Sequence, residues 1–320
     1  MAVMNPHGRL VGRDAALGVA GAALADALAG TGAFLLVTGE PGIGKSALLA
    51  EVSRDAAGRG ARVLRGVGWN GAGAPPYWLW TQVLRGIGTR LEPAALGEAG
   101  RLLAGPRPGG PRPGEAGSAQ DAADAQFRLF DAVATALRQL ADDAPLVLVL
   151  DDLQWADNPT LRLLEFVATQ LSASPVLVLG SYRDTEAGET LHRMPGQVLP
   201  LAPLGPADIR SLMTVVAGTR PSDERAEAVW RRCGGNPFFV RELTRLVLAR
   251  GGWDAADSNG SLPTPDGVRE TLTARLNRVS PSCADVLAVV ACSGLDVQLD
   301  VVARVCALAI DAVVDLLDEA

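Results

Sequence analysis

Residues Gly39, Glu40, Pro41, Gly42, Ile43, Gly44, Lys45 and Ser46 read G-E-P-G-I-G-K-S. Three glycines let consecutive backbone N–H groups turn toward one point, and a lysine and a hydroxyl follow at fixed offsets. This spacing suits a chain of phosphates. The N–H groups through Ala47 face the phosphate oxygens, Lys45 reaches the β- and γ-phosphates, and Ser46 ligates Mg²⁺. Lys45 is also the only lysine among 29 basic residues. Arginine's planar fork does not fit a loop wrapped closely around phosphate, whereas a compact ammonium does.

About a hundred residues on, Leu-Val-Leu-Val-Leu runs into Asp151 and Asp152. Two carboxylates at the end of an apolar strand fit a solvated turn or a metal-and-water site. The upstream loop favours the second, with Asp151 holding Mg²⁺ and Asp152 orienting or deprotonating the attacking water. Arg183 follows another apolar run, in Gly-Ser-Tyr-Arg-Asp. Position alone favours an ion pair with Asp184 over a γ-phosphate contact.

These residues need strands and helices to hold them. Continuous apolar runs at 34–37, 62–64 with Val67, 146–150 and 176–179, and a weaker one at 197–201, read as strands buried on both faces. Helical patterns fall at 46–57, 121–140 and 159–171, the last with Asn158 as N-cap and Pro159 at the first helical position. Strand alternating with helix predicts an α/β fold with a parallel sheet. After residue 203 the pattern is helical: 206–217, 222–232, 237–250, 268–279, 282–293, 301–308 and 310–320. The predicted organisation is a core at 1–203, a helical domain at 204–250 and a third unit at 263–320. The Gly/Pro-rich stretch 105–117 reads as a mobile loop.

Composition narrows the function. The chain has 320 residues, 48% hydrophobic and 20% charged, with a net charge of −7. That acidity argues against this segment gripping nucleic acid by itself. Two histidines leave little room for His-based metal or triad chemistry. Four cysteines without a C-x-x-C pair read as reduced, buried thiols in a cytoplasmic protein. The stretch 15–25 reads as an amphipathic helix rather than a signal peptide, and no run is long enough for a membrane span. Trp69, Tyr77, Trp78 and Trp80 cluster within twelve residues. They read as a long loop packed on the sheet edge in preference to a ligand or partner surface.

Together, Leu-Val-Gly-Arg-Asp at 10–14, GEPGIGKS at 39–46, Ala-Pro-Pro-Tyr-Trp at 74–78, LVLVLDDLQWAD at 146–157, GSYRDTE at 180–186 and GGNPFFVREL at 234–243 resemble a known family. They look like the nucleotide-binding module of STAND-type AAA+-related ATPases. The nearest group is found in large ATP-binding LuxR-type bacterial transcriptional regulators and on some class III nucleotide cyclases. The resemblance implies a P-loop NTPase sheet of order 5-1-4-3-2, a helical domain and a partial winged-helix domain. It implies that Arg13 helps hold the nucleotide, that Arg183 senses the γ-phosphate and that Pro237 packs near the adenine. Gln154 stands where relatives often have His, and Asp152 is shorter than the Glu of efficient motors, which implies slow hydrolysis.

The leading expectation is an ATP/ADP-dependent switch that self-associates on activation and reaches DNA only through a C-terminal domain beyond this chain. The alternatives are an AAA+ motor or origin-recognition-like loader, a cyclase's ATPase module, and a small-molecule kinase.

Overall fold

The computed structural model describes residues 10–70, 74–88, 96–104, 119–186, 188–249, 253, 273, 276, 279–293 and 298–319. The predicted loop at 105–117 lies outside them, as does most of the predicted helix at 268–279. The chain divides into two compact units, Met1–Val240 and Arg241–Ala320.

In the first unit, α1 (Asp14–Leu28) precedes β1 (Ala33–Thr38), and α2 (Lys45–Gly58) precedes β2 (Arg62–Val67). Then come α3 (Trp78–Ile87), α4 (Gly100–Ala104), α5 (Ala119–Asp143), β3 (Leu146–Asp151), α6 (Asn158–Gln170), β4 (Val176–Tyr182), α7 (Glu189–His192) and β5 (Gln197–Pro200). Helices α8 (Pro206–Ala217) and α9 (Asp223–Cys233) follow, and α10 (Pro237–Ala249) begins in this unit and continues past its end at Val240. The five strands form one parallel sheet of order β2-β3-β4-β1-β5, the arrangement the family resemblance implies, with β4 between β1 and β3.

Alternate residues of the central strands β1, β3 and β4 feed two cores. Leu146, Leu148 and Leu150 of β3 pack with α3, α5 and α6. Val147 and Val149 pack with α1 and α2 on the other face. Both faces are covered, which is why the strands read as continuous apolar runs.

Two local readings change. The aromatic stretch is only in part a loop: Trp69 lies outside regular structure and Tyr77 precedes a helix. Residues 78–87 form α3 against β2, and Trp80 is fully buried with its indole N–H donating to the Thr160 carbonyl at 3.1 Å. Helix α6 is capped one residue earlier than expected: Asp157 accepts the Thr160 N–H at 2.6 Å. A carboxylate at this position satisfies an orphan donor and complements the helix dipole.

Among the described residues of the second unit, helices beyond the end of α10 span Pro281–Ser293, Leu299–Cys306 and Ile310–Asp318, with no strand. Val286, Val302 and Val313 form their small core. The thiols are free, as expected, but not all buried: Cys233 and Cys283 are buried and Cys292 is exposed. No helix among the described residues is long and apolar enough to cross a membrane.

Candidate nucleotide site

The phosphate loop connects β1 to α2, and its glycines take conformations that side chains rarely adopt. Gly39, Gly42 and Gly44 have φ of 140°, 80° and 107°. At Gly42 a Cβ would meet the Phe238 Cβ at 2.8 Å and the Asn236 Oδ1 at 2.9 Å. Lys45 and Ser46 open α2, with Ser46 exposed and Lys45 buried. The Lys45 ammonium donates to the carbonyls of Gly39 at 2.7 Å and Glu40 at 3.0 Å, bracing the loop.

Sheet register brings the other expected residues here. Thr38 pairs with Tyr182 across β1 and β4, and Leu150 pairs with Gly180 across β3 and β4. The strand ends carrying the loop, Arg183 and the Asp151–Asp152 pair are therefore consecutive in the sheet. Ligands of open parallel sheets bind beyond these carboxyl ends. Burial pulls the Lys45 ammonium below the usual lysine range, and Arg183 adds to the fall. Asp152, Asp151 and Glu186 pull the other way. One field thus joins all of these groups.

The acidic pair is held rigidly. Asp151 accepts the Ser181 hydroxyl and, at 3.2 Å, the Asp152 N–H. Asp152 adopts φ 57° and ψ 48°, a left-handed conformation uncommon outside glycine. Its N–H also reaches the Ser181 Oγ at 3.1 Å. The end of β2 closes on the same backbone. Gly68 N–H donates to the Asp151 carbonyl at 2.8 Å, and a Cβ on Gly68 would lie 2.2 Å from the Asp152 carbonyl oxygen.

Several participants were not foreseen. Gln154 Nε2 donates to Asp152 Oδ1 at 2.9 Å, while its Oε1 accepts the Arg183 N–H at 3.2 Å. Arg183 pairs with Glu186 at 2.9 Å rather than with Asp184. Its guanidinium also lies 4.9 Å from the centroid of Trp155.

Arg13 and the two neighbours of Pro237, Asn236 and Phe238, meet the loop. The Arg13 guanidinium is buried and donates to the Ala202 and Ile43 carbonyls, both at 2.7 Å. Burial lowers its pKa, and Asp208 partly opposes the fall. Pro237 opens α10 directly after Asn236. Asn236 caps that helix through the Phe238 N–H at 3.1 Å and donates to the Pro41 carbonyl at 3.0 Å. An Asn before Pro at the start of a helical pattern is a readable N-cap signal; its hold on the loop is not.

These residues fit a nucleoside triphosphate with Mg²⁺. The glycine cradle and helix N-terminus supply N–H donors, Lys45 a cation, Ser46 a hydroxyl and Asp151 a carboxylate. Ser46 and Asp151 offer only two donors between them, so a cation here would complete its coordination with phosphate oxygens and water.

The fold and loop define a P-loop NTPase-like protein. Residues 9–179 match the AAA ATPase domain family, and the chain belongs to that family. A curated protein of Rhizobium meliloti (strain 1021), described as uncharacterized, is 25% identical over 270 residues, covering 75% of this chain and 25% of that protein. The chain thus spans about a quarter of that relative's length. Among solved structures, the replication initiator DnaA bound to AMPPCP and single-stranded DNA matches at 14% identity and a TM-score of 0.50. That match covers 96% of this chain and 87% of that one. A RuvB variant from Thermotoga maritima matches at 14% identity and a TM-score of 0.48, covering 97% and 86%. At these identities the likeness concerns the fold.

Proposed function

We propose that this AAA ATPase module is an ATP-binding, slowly hydrolysing switch within a bacterial signal-transducing transcriptional regulator. The supporting observation is the convergence of Lys45, Asp151, Asp152 and Arg183 at consecutive strand ends around one glycine loop. In this reading the backbone from Gly39 to Ala47 and the Lys45 ammonium bind the phosphates. Ser46 and Asp151 hold Mg²⁺, which supplies charge neutralisation on the phosphates. Asp152 orients the attacking water, and its short side chain keeps turnover slow.

Arg183 gives the switch its differential contact. Its guanidinium, engaged with Glu186 and Trp155, exchanges partners for the γ-phosphate in the ATP state only. A ligand shifts a conformational equilibrium only through such state-specific contacts. In this reading Arg13 acts through the loop backbone, and Pro237 packs near the adenine. The organisation we adopt is a core at 1–203, a helical lid at 204–250 and a winged-helix domain beginning at 263. Self-association on activation, a cytoplasmic setting and DNA contact through a domain outside this chain complete the reading.

Thermal unfolding with nucleotide tests it. Mg-ATP or Mg-ADP at 100 times its dissociation constant should add about 2.7 kcal/mol to stability. Lys45→Ala should abolish that gain; an undiminished gain rejects the phosphate-loop assignment. Arg183→Ala should bind ADP normally while losing the preference for ATP. Sustained turnover well above ~1 s⁻¹, the low end for dedicated phosphoryl-transfer enzymes, would reject the slow switch in favour of a motor or loader.

A further inference from the structure

A second concavity of about 280 Å³ opens beside the acidic pair, between the end of β2, the start of α3 and the turn after β3. Trp69, Trp78 and Trp155 line it together with Pro75, Gln154 and Asp157. Half of the chain's six tryptophans therefore face one groove. Trp69 is 58% exposed, which the packing of a core does not explain.

We propose that this groove binds an uncharged, flat aromatic or heteroaromatic small molecule that modulates the nucleotide site. The coupling half of the proposal rests on the switch reading above; the binding half does not.

Three features select that ligand chemistry. Indole walls favour flat π surfaces, through stacked or edge-to-face contacts. The groove's carboxylate demands no cation, because Asp157 already takes the Thr160 N–H at 2.6 Å and the Tyr77 N–H at 2.9 Å. Cations already sit on two of the indoles, Arg85 at 5.5 Å from Trp78 and Arg183 at 4.9 Å from Trp155. A positively charged ligand would meet these like charges, and an anion would meet Asp157 and, behind Gln154, Asp152. The volume is near the lower end of small-molecule pockets, which suits a one- or two-ring compound.

The route to the nucleotide site is short. Gln154 lines the groove and holds Asp152 at 2.9 Å and the Arg183 N–H at 3.2 Å. Trp155 lines the groove and carries the Arg183 guanidinium. A ligand that stacks on Trp155 acts on Arg183, and one that hydrogen-bonds Gln154 acts on both Asp152 and Arg183.

The test uses nucleotide-free protein labelled with 5-fluorotryptophan, titrated with quinoxaline and followed by ¹⁹F NMR. Saturable shifts confined to the Trp69, Trp78 and Trp155 resonances are expected. Affinity should fall at least about fivefold, of the order an aromatic contact contributes, for 1-methylquinolinium, 2-naphthoate and cyclohexanol. It should also fall in Trp69→Ala, whose exposed side chain can be removed without loss of the fold. No saturable shift, equal shifts at all six tryptophans, or preference for a charged or aliphatic probe would overturn the binding site. Adding Mg-ATP should change quinoxaline affinity, and quinoxaline should change ATP affinity by the same factor. Gln154→Ala should shrink that coupling factor, whatever it does to quinoxaline affinity itself. Binding without any coupling in the unmodified protein overturns the modulatory role. Failure to bind nucleotide at all would count against the switch reading and leave the binding result standing.

Discussion

Gln154 and Asp152 share a hydrogen bond of 2.9 Å, and the same Gln154 amide accepts the Arg183 backbone N–H at 3.2 Å. One neutral side chain thus fixes both the carboxylate proposed to orient the attacking water and the backbone of Arg183, proposed to contact the γ-phosphate. It does so without adding charge to a site that already holds Asp151, Asp152, Glu186, Lys45 and Arg183.

Gln154→Ala is therefore expected to slow single-turnover ATP hydrolysis about tenfold, the equivalent of one lost hydrogen bond of about 1.4 kcal/mol. The dissociation constant for ADP should stay nearly constant, because Gln154 is not placed on the phosphate loop. Gln154→His, which keeps one donor near Asp152, should recover part of the rate. A rate unchanged in the Ala variant would show that Asp152 does not depend on this amide.

Gly68 offers a steric counterpart. Its missing Cβ is what lets β2 approach the Asp152 carbonyl. Gly68→Ala should displace the Asp152 backbone and lower stability by about 1–3 kcal/mol, the usual range for overpacking. Urea denaturation measures the cost, and nucleotide titration should show binding largely retained while hydrolysis is lost. A fully active, fully stable variant would contradict the close approach.

Asn236 separates capping from loop support. Asn236→Ala loses both bonds and should cost about 1–2 kcal/mol. Asn236→Asp keeps the acceptor for the Phe238 N–H but has no donor for the Pro41 carbonyl. It should stay close to the parent in stability while binding nucleotide more weakly. Equal nucleotide affinity in the Asp variant would leave Asn236 with a capping role alone.

Cys233 predicts a pH dependence. Burial pushes its thiol up to about 11, against a weaker downward pull from Arg232. The folded chain then holds this proton more tightly than the unfolded chain does. Unfolding releases it between about pH 9 and about pH 11, so stability falls as pH rises through that window. At pH 10.5 the contribution reaches roughly 2 kcal/mol. Cys233→Ala should remove that part of the alkaline slope and leave stability below pH 8 free of it. At pH 8 a thiol reagent should label exposed Cys292 well before buried Cys233 and Cys283. Prompt labelling of Cys233 in the folded protein would contradict its burial.

The sequence by itself determined the phosphate loop, the acid-ended strand, the parallel α/β class and most helix positions. Those features are local. A glycine pattern sets backbone conformation within a few residues, and an apolar run buried on both faces can be read directly from its composition. The order of the strands came through family resemblance. Tertiary structure decided what meets what. Register placed Arg183 beside the loop and gave it Glu186 and Trp155 as partners in place of Asp184. It turned Gln154, which the sequence marked only as a residue standing where relatives often have His, into the tie between two strand ends. It made part of the aromatic stretch a helix with Trp80 in the core and Trp78 at a groove. Arg13 and Asn236 reach their loop carbonyls across 30 and 195 residues of chain, respectively. Spacing cannot encode such contacts, because each depends on where the packed sheet brings distant backbone within hydrogen-bonding distance.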